Sequence, residues 1–178
     1  GGKVYATDHT NASRTLFYDI EKLAWSQELC KVFGLDFGEL PDVRESTAWY
    51  GDTDLGGCLN RRVPICGVMG DSQAALFAQR CFTPGGAKVT FGTGSSVLLN
   101  IGNEKRLSSH GTLTALGWVL QGQPTYAFEG IINFTGATIS WLRDQLQLIE
   151  NPAETETLAQ SVSDSDGVYF IPAFVGLS

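Results

Sequence analysis

Two short clusters within residues 63–100 have the residue types needed to move a phosphoryl group. The stretch reads VPICGVMGDSQAALFAQRCFTPGGAKVTFGTGSSVLLN. Asp71 follows a glycine at the end of an apolar run and precedes a series of strong helix formers. A carboxylate at such a turn can take a proton from an alcohol. Gly92-Thr93-Gly94-Ser95 lies between two apolar runs. A small-residue loop of this kind can hold phosphate oxygens on backbone N–H groups. Each cluster also has a plain structural explanation. Asp is a favoured helix N-cap, and glycines between strands supply the positive φ of a hairpin turn. The residues alone leave both explanations open.

The elements around these clusters follow from pattern. Val63 to Val68 is a continuous apolar run, as in a buried strand, with Pro64 restricting its start to an edge. Ser72 to Arg80 reads as a helix with Asp71 at its N-cap and Ala75, Leu76 and Ala78 inward. Ala87 to Phe91 and Ser96 to Ile101 read as strands on either side of the Gly-Thr-Gly turn. Ala115 to Gln121 and Thr125 to Glu129 form a second strand pair. Asn133 to Leu148 has an apolar stripe of Phe134, Ala137, Trp141, Leu142 and Leu146, which predicts an amphipathic helix. Gly136 in its first turn costs about 1 kcal/mol against Ala, a residue choice that suits close approach by a neighbour or a ligand. Asn151-Pro152-Ala153-Glu154 has the pattern of a helix start, with the helix ending near Ser163. Asp166-Gly167 turns the chain toward a last strand, Val168 to Ile171.

The N-terminal third is less regular. Trp25 to Phe33 predicts a helix with Leu29, Cys30 and Phe33 on one face, stopped by Gly34, with Ile20, Leu23 and Ala24 packed against it. Gly34 to Asn60 reads as a long surface connection. Thr7 to Arg14 is polar or small throughout and suits a solvated loop, or else a loop in which Asp8, Thr10 and Arg14 line a cleft. The order is β-α, two β-hairpins, two helices and a strand. The fold class is therefore α/β with antiparallel pairs, not a regular doubly wound sheet.

Composition narrows the function. The 178 residues are 43% hydrophobic and 17% charged, as in a soluble globular protein, and 21 glycines fit a turn-rich chain. The net charge of −7 and the lack of a basic cluster beyond Arg61-Arg62 set nucleic acid aside. Cys30, Cys58, Cys66 and Cys81 show no C-x-x-C spacing, and only two histidines accompany them. That argues against zinc and for reduced thiols in a cytoplasmic protein. No run approaches the roughly 20 apolar residues of a membrane span, and the first residues do not resemble a signal peptide. The absence of a starting Met and the apolar final residues suggest a piece of a longer chain.

Four segments, TDHTNASRTLFYDI, GVMGDSQAALFAQ, PGGAKVTFGTGSS and EGIINFTGATISWLRD, fall in the order and spacing of the FGGY carbohydrate kinases, most closely the glycerol kinase branch. The resemblance runs from about Val4 to the end. It implies part of a two-lobed ribonuclease H-like fold, shared with actin and hexokinase. It further implies transfer of the γ-phosphate of ATP-Mg²⁺ to a sugar or polyol hydroxyl. Residues 1–80 would be the tail of the N-terminal lobe and 81–178 the first part of the C-terminal lobe. The missing portions would hold other phosphate, metal, sugar and adenine contacts, so this chain would be inactive alone, and no metal ligand is assigned within it.

On that resemblance, Asp71 matches the catalytic base, Gly92 and Thr93 the loop at the nucleotide phosphates, and Gly136 a glycine near the nucleotide. Ser140 matches a position that is often Gln in glycerol kinases. Two departures concern the acceptor. Ser72 stands where glycerol kinases usually have a Gln that touches a substrate hydroxyl. Ser96 stands where they usually have a Phe against the glycerol carbons. Both substitutions give space and a hydroxyl, which points to a larger or more polar acceptor than glycerol. Self-association as a homo-oligomer is left open. The competing expectation is a nucleotide-binding module of the actin-like class without catalysis, in which Asp71 has no chemical task.

Overall fold

A computed structural model describes residues 3–176. The chain divides into two compact units. One comprises the chain up to Lys88 together with Leu98–Glu129; the other comprises Val89–Val97 and the chain from Gly130 onward.

The first unit begins with β1 (Ala6–Asp8) running directly into the short helix α1 (His9–Ala12). The polar segment 7–14 is therefore a strand end and a helical turn, not a solvated loop. Asp8 and Thr10 are completely buried. The sequence suggests solvent because both residues are polar; they tolerate burial because they bond each other. Next come β2 (Tyr18–Asp19), β3 (Ala24–Trp25) and α2 (Gln27–Val32). Ser26 caps α2 by accepting from the Leu29 N–H. Gly34 ends it at φ +67°, with Leu35 N–H on Cys30 O and Gly34 N–H on Lys31 O, a Schellman closure. Of the expected apolar face only Cys30 is buried; Leu29 and Phe33 are exposed. Ile20 and Leu23 pack elsewhere, and Ala24 is exposed.

Residues 34–60 are more ordered than a plain connection. A 3₁₀ turn at Phe37–Glu39 leads to β4 (Asp42–Arg44), which pairs in parallel with β1, Asp8 opposite Arg44. Two-residue strands β5 (Asp52–Thr53) and β6 (Val63–Pro64) then pair antiparallel. The apolar run 63–68 is thus strand only at its start. Pro64 has no N–H for a ladder, and Ile65 and Cys66 are exposed. Helix α3 covers Asp71–Ala78, with Leu76 inward, Ala75 partly buried and Ala78 exposed.

A four-stranded sheet has the order β7-β8-β10-β9, built from β7 (Ala87–Phe91), β8 (Ser95–Gly102), β9 (Leu113–Leu120) and β10 (Gln123–Ile132). In the β9–β10 pair Trp118 opposes Thr125 and Leu116 opposes Tyr126, so Gly117 is the extra residue of a bulge. A bulge reverses which face later side chains take. Leu116, Val119 and Tyr126 accordingly join Ala12 and Tyr18 in one core. Trp118 joins Leu76, Cys81, Leu98 and Ala127 in the other. One strand pair thereby anchors both α1 and α3, the two helices that carry the polar residues described below.

The second unit contains α4 (Gly136–Asp144) and α5 (Glu154–Gln160). Both are shorter than the pattern suggests: Phe134 precedes α4, and Leu146 lies exposed beyond it. Phe134 and Trp141 still meet, each against Phe174, and Trp141 also stacks on Phe170 at 5.4 Å. Ahead of α5, Asn151 Oδ1 accepts from Ala153 N–H and the Asn151 N–H donates to Glu154, so these residues fold the approach to the helix, while Ala153, not Asn151, holds the N-cap position. Asp166 and Gly167 turn the chain with positive φ, as expected, but Val168–Ile171 forms no strand. Those residues are largely exposed, and an apolar run without a ladder partner cannot be a strand. Among the described residues no helix is long and apolar enough to cross a membrane, and no group of three metal-ligating side chains occurs.

Candidate active site

Asp71 is the first residue of α3, not its cap; Gly70 holds the N-cap position and no side chain caps the helix. The exposed Asp71 carboxylate accepts the neighbouring Ser72 N–H at 2.7 Å. A carboxylate here is not occupied with the helix end. What fixes it is the peptide before it. The Gly70 N–H donates to Thr10 Oγ1 at 2.8 Å, and the Thr10 hydroxyl donates to Asp8 Oδ2 at 2.7 Å. Asp8 accepts five bonds in all: it also accepts from Thr10 N–H, from the backbone and amide of Asn11, and from Ser46 Oγ at 2.7 Å. A side chain at Gly70 would meet the Gln73 amide oxygen at 2.6 Å and so would displace the Gln73 amide.

Asp71 and Ser72 open onto a cavity of about 300 Å³ bounded by the 69–73 turn, Asn11, Arg14 and Glu129. That is the lower end of the size range of small-molecule sites. A larger space near Trp49 and Arg62 contains none of the motif residues. Arg14 forms an ion pair with the nearly buried Glu129. Lys88, from β7, is also buried and donates to Ser72 Oγ at 3.3 Å. Burial pushes the Lys88 ammonium below its ordinary range, while Asp71 and Glu129 pull it back. The cavity thus has two carboxylates and Arg14 in its lining, with Lys88 behind Ser72. Of the expected cleft residues, Arg14 lines the cavity directly, whereas Asp8 and Thr10 lie beneath it as supports. Lys88, Glu129 and Ser46 were not legible as site residues: a lysine between Ala87 and Val89 has the pattern of an outward side chain.

The second unit gathers Gly92, Thr93 and Gly136. The N–H groups of Thr135 and Ala137 donate to Thr93 O, and that of Gly136 to Gly92 O at 3.0 Å. A Cβ on Gly136 would stand 2.5 Å from Gly92 O, so close approach requires glycine. Ser95 Oγ and Thr135 Oγ1 bond at 2.8 Å, and Thr135 Oγ1 donates to Gly92 O at 3.2 Å. These two hydroxyls, unnoticed in the sequence, tie the loop to the start of α4. With its carbonyls bonded inward, the loop keeps Gly92 and Thr93 exposed. Ser140 turns its hydroxyl onto Gly136 O of its own helix. Ser96 is a partly buried residue of β8.

Comparison with known proteins agrees with this arrangement. Residues 1–78 match the FGGY family of carbohydrate kinases, N-terminal domain, and residues 87–178 match the C-terminal domain of the same family. The chain is 48% identical over 177 residues to glycerol kinase of Carboxydothermus hydrogenoformans, covering 99% of this chain and 35% of that protein. It is 50% identical to glycerol kinase of Pseudothermotoga lettingae, covering 99% of this chain and 36% of that protein. The chain thus spans about a third of the length of the curated relatives it matches. A crystal structure of Plasmodium falciparum glycerol kinase with ADP superimposes with a TM-score of 0.85 at 36% identity, over 97% of this chain and 35% of that one. Xylulose kinase from Rhodospirillum rubrum, at 21% identity, shares the fold with a TM-score of 0.77 over 96% of this chain and 36% of that one. The mixed α/β architecture is part of the ribonuclease H-like, actin- and hexokinase-like ATPase fold. With both family domains matched in order along almost all of its length, the chain belongs to the FGGY family of carbohydrate kinases.

Proposed function

We propose that the whole protein transfers the γ-phosphate of ATP to a hydroxyl of a sugar or polyol, and that this chain supplies the base and part of the phosphate loop. The observation that carries the reading is Asp71. It is a cavity-facing carboxylate with no capping task, on a turn fixed from below by Thr10. Asp71 accepts the proton of the acceptor hydroxyl as that oxygen bonds to phosphorus and the bond to ADP breaks. Phosphoryl transfer asks mainly for positioning and charge stabilisation, and the latter is what ATP-bound Mg²⁺ supplies.

Gly92 and Thr93 would hold phosphate oxygens. The fit is chemical: the loop's carbonyls, which would repel phosphate, bond to α4, and the Thr93 side chain is an exposed neutral donor. Gly136 serves by letting α4 reach Gly92 O, and Ser140 borders the same helix start. Residues 1–80 are read as the tail of the N-terminal lobe and 81–178 as the opening of the C-terminal lobe. The thiols of Cys30, Cys58, Cys66 and Cys81 are all free, in keeping with a cytoplasmic setting where ATP is available.

For the acceptor, Ser72 lines the cavity and Ser96 is the second candidate contact. With a hydroxyl at each position, the acceptor is larger or more polar than glycerol, such as a four- or five-carbon polyol or ketose. ADP release by the full-length protein with ATP and Mg²⁺ tests this against glycerol, erythritol, ribulose and xylulose. Turnover with one of the longer acceptors supports it. A clear preference for glycerol refutes the acceptor class, and ATP binding without turnover on any acceptor refutes the kinase reading.

A further inference from the structure

Lys88 is a buried charged side chain at this site that the phosphoryl-transfer scheme above does not use. Its exposure is 1%, and burying an ammonium is costly unless opposite charge and hydrogen bonds compensate. Asp71, at the start of α3, and Glu129, on β10, both act on Lys88, and Arg14 already pairs with Glu129. An ammonium has three donors and no acceptor. Its bond to Ser72 Oγ therefore has one direction, and it uses a lone pair of the serine while leaving the serine's own proton available.

We propose that Lys88 is a positioning residue of the acceptor site, whose buried ammonium orients the Ser72 hydroxyl as a donor toward the acceptor molecule. Adjacent residues then present complementary groups: Asp71 accepts the proton of the reacting hydroxyl, and Ser72 donates to a second oxygen of the same molecule. The inference rests on the kinase reading and adds what selects the acceptor's orientation. It also explains why a serine suffices at position 72, since Lys88 supplies from beneath the orientation that a longer side chain would obtain from its own length.

The test uses the full-length protein with whichever acceptor the wild type turns over, comparing Lys88→Met, Lys88→Gln and Lys88→Arg. The acceptor KM should rise about tenfold in K88M, the loss of one oriented hydrogen bond, while the KM for ATP stays within about twofold. K88R and K88Q keep an N–H that can donate to Ser72 and should recover most of the acceptor KM. Ser72→Ala, which removes the hydroxyl that Lys88 orients, should raise the acceptor KM by a similar factor and decides the question if K88M does not fold. An acceptor KM unmoved in folded K88M or in S72A overturns the proposal, and so does failure of all three Lys88 variants to fold, which would make Lys88 purely structural. No turnover by the wild type is a different failure, that of the kinase reading itself.

Discussion

Replacing Thr10 with valine should disable the site without touching it. Valine has the shape of threonine, so packing is kept and only the hydroxyl goes. That hydroxyl makes two bonds in a fully buried position: it accepts from Gly70 N–H at 2.8 Å and donates to Asp8 Oδ2 at 2.7 Å. Losing a hydrogen bond to a carboxylate costs roughly 2 kcal/mol, and orphaning a partly buried N–H costs about 1 kcal/mol. Asp8 keeps its bonds to Thr10 N–H, Asn11 and Ser46, so its charge stays satisfied and the loss should stop near ~3 kcal/mol. In a lobe of 150–250 residues that lowers Tm by roughly 6–12 °C.

The kinetic effect follows from where the lost bond lies. Gly70 immediately precedes Asp71, so a loosened Gly70 peptide moves the base directly. A displacement of about 1 Å at a reacting group costs on the order of 10²-fold in rate. In the full-length protein T10V should therefore lower kcat by about 10–100-fold, with the KM for ATP little changed. Calorimetry and steady-state ADP release measure the two effects. Thr10→Ser retains the oxygen and should recover most of kcat while still losing some packing. If T10V keeps wild-type kcat, or if T10S is as slow as T10V, the Asp8–Thr10–Gly70 chain does not position the base.

Other perturbations separate the remaining parts of the site. Asp71→Ala should lower kcat by about 10²–10⁴-fold with little change in Tm, because Asp71 does not cap α3; retained kcat would leave the helix start as its only role. Gly136→Ala places a methyl 2.5 Å from Gly92 O and should cost about 1–3 kcal/mol by overpacking. Its kinetic signature should be a raised KM for ATP, and an unchanged KM would separate the 92–93 loop from the nucleotide. His9 lies against Tyr18, its Nδ1 2.5 Å from the phenol oxygen, and burial holds the imidazole below its ordinary pKa near 6.5 despite Asp8 and Glu45. Below that ordinary value the unfolded chain takes up a proton that folded His9 resists, so stability falls as pH drops from about 6.5 toward the folded pKa. His9→Gln should flatten that fall in Tm-versus-pH curves, whereas curves parallel to wild type would show that His9 does not contribute.

The sequence was most legible where a single local rule decided the outcome. The Schellman glycine at Gly34, the bond between Asn151 and Glu154, and the turn at Asp166-Gly167 each depend on residues within a few positions of one another. Asp71 and the 92–95 loop were legible for the same reason, as short clusters between recognisable elements. What escaped was long-range. Asp8 can be buried because Ser46, 38 positions away, donates to it, and β4 exists because β1 lies beside it. Alternation alone puts Ala87, Val89 and Phe91 inward and Lys88 outward, yet Lys88 is buried and Phe91 is 81% exposed. The inversion has an electrostatic origin: Asp71, Glu129 and Ser72 converge on that side of β7 from α3 and β10, and a cation is the side chain that site accepts. Hydrophobic periodicity measures the average medium on each face of a strand. It fails where one face meets a charged cavity, and here that failure coincides with the candidate site: the polar residues it sends to solvent, Asp8, Thr10 and Lys88, are the ones bonded beneath Gly70 and Ser72.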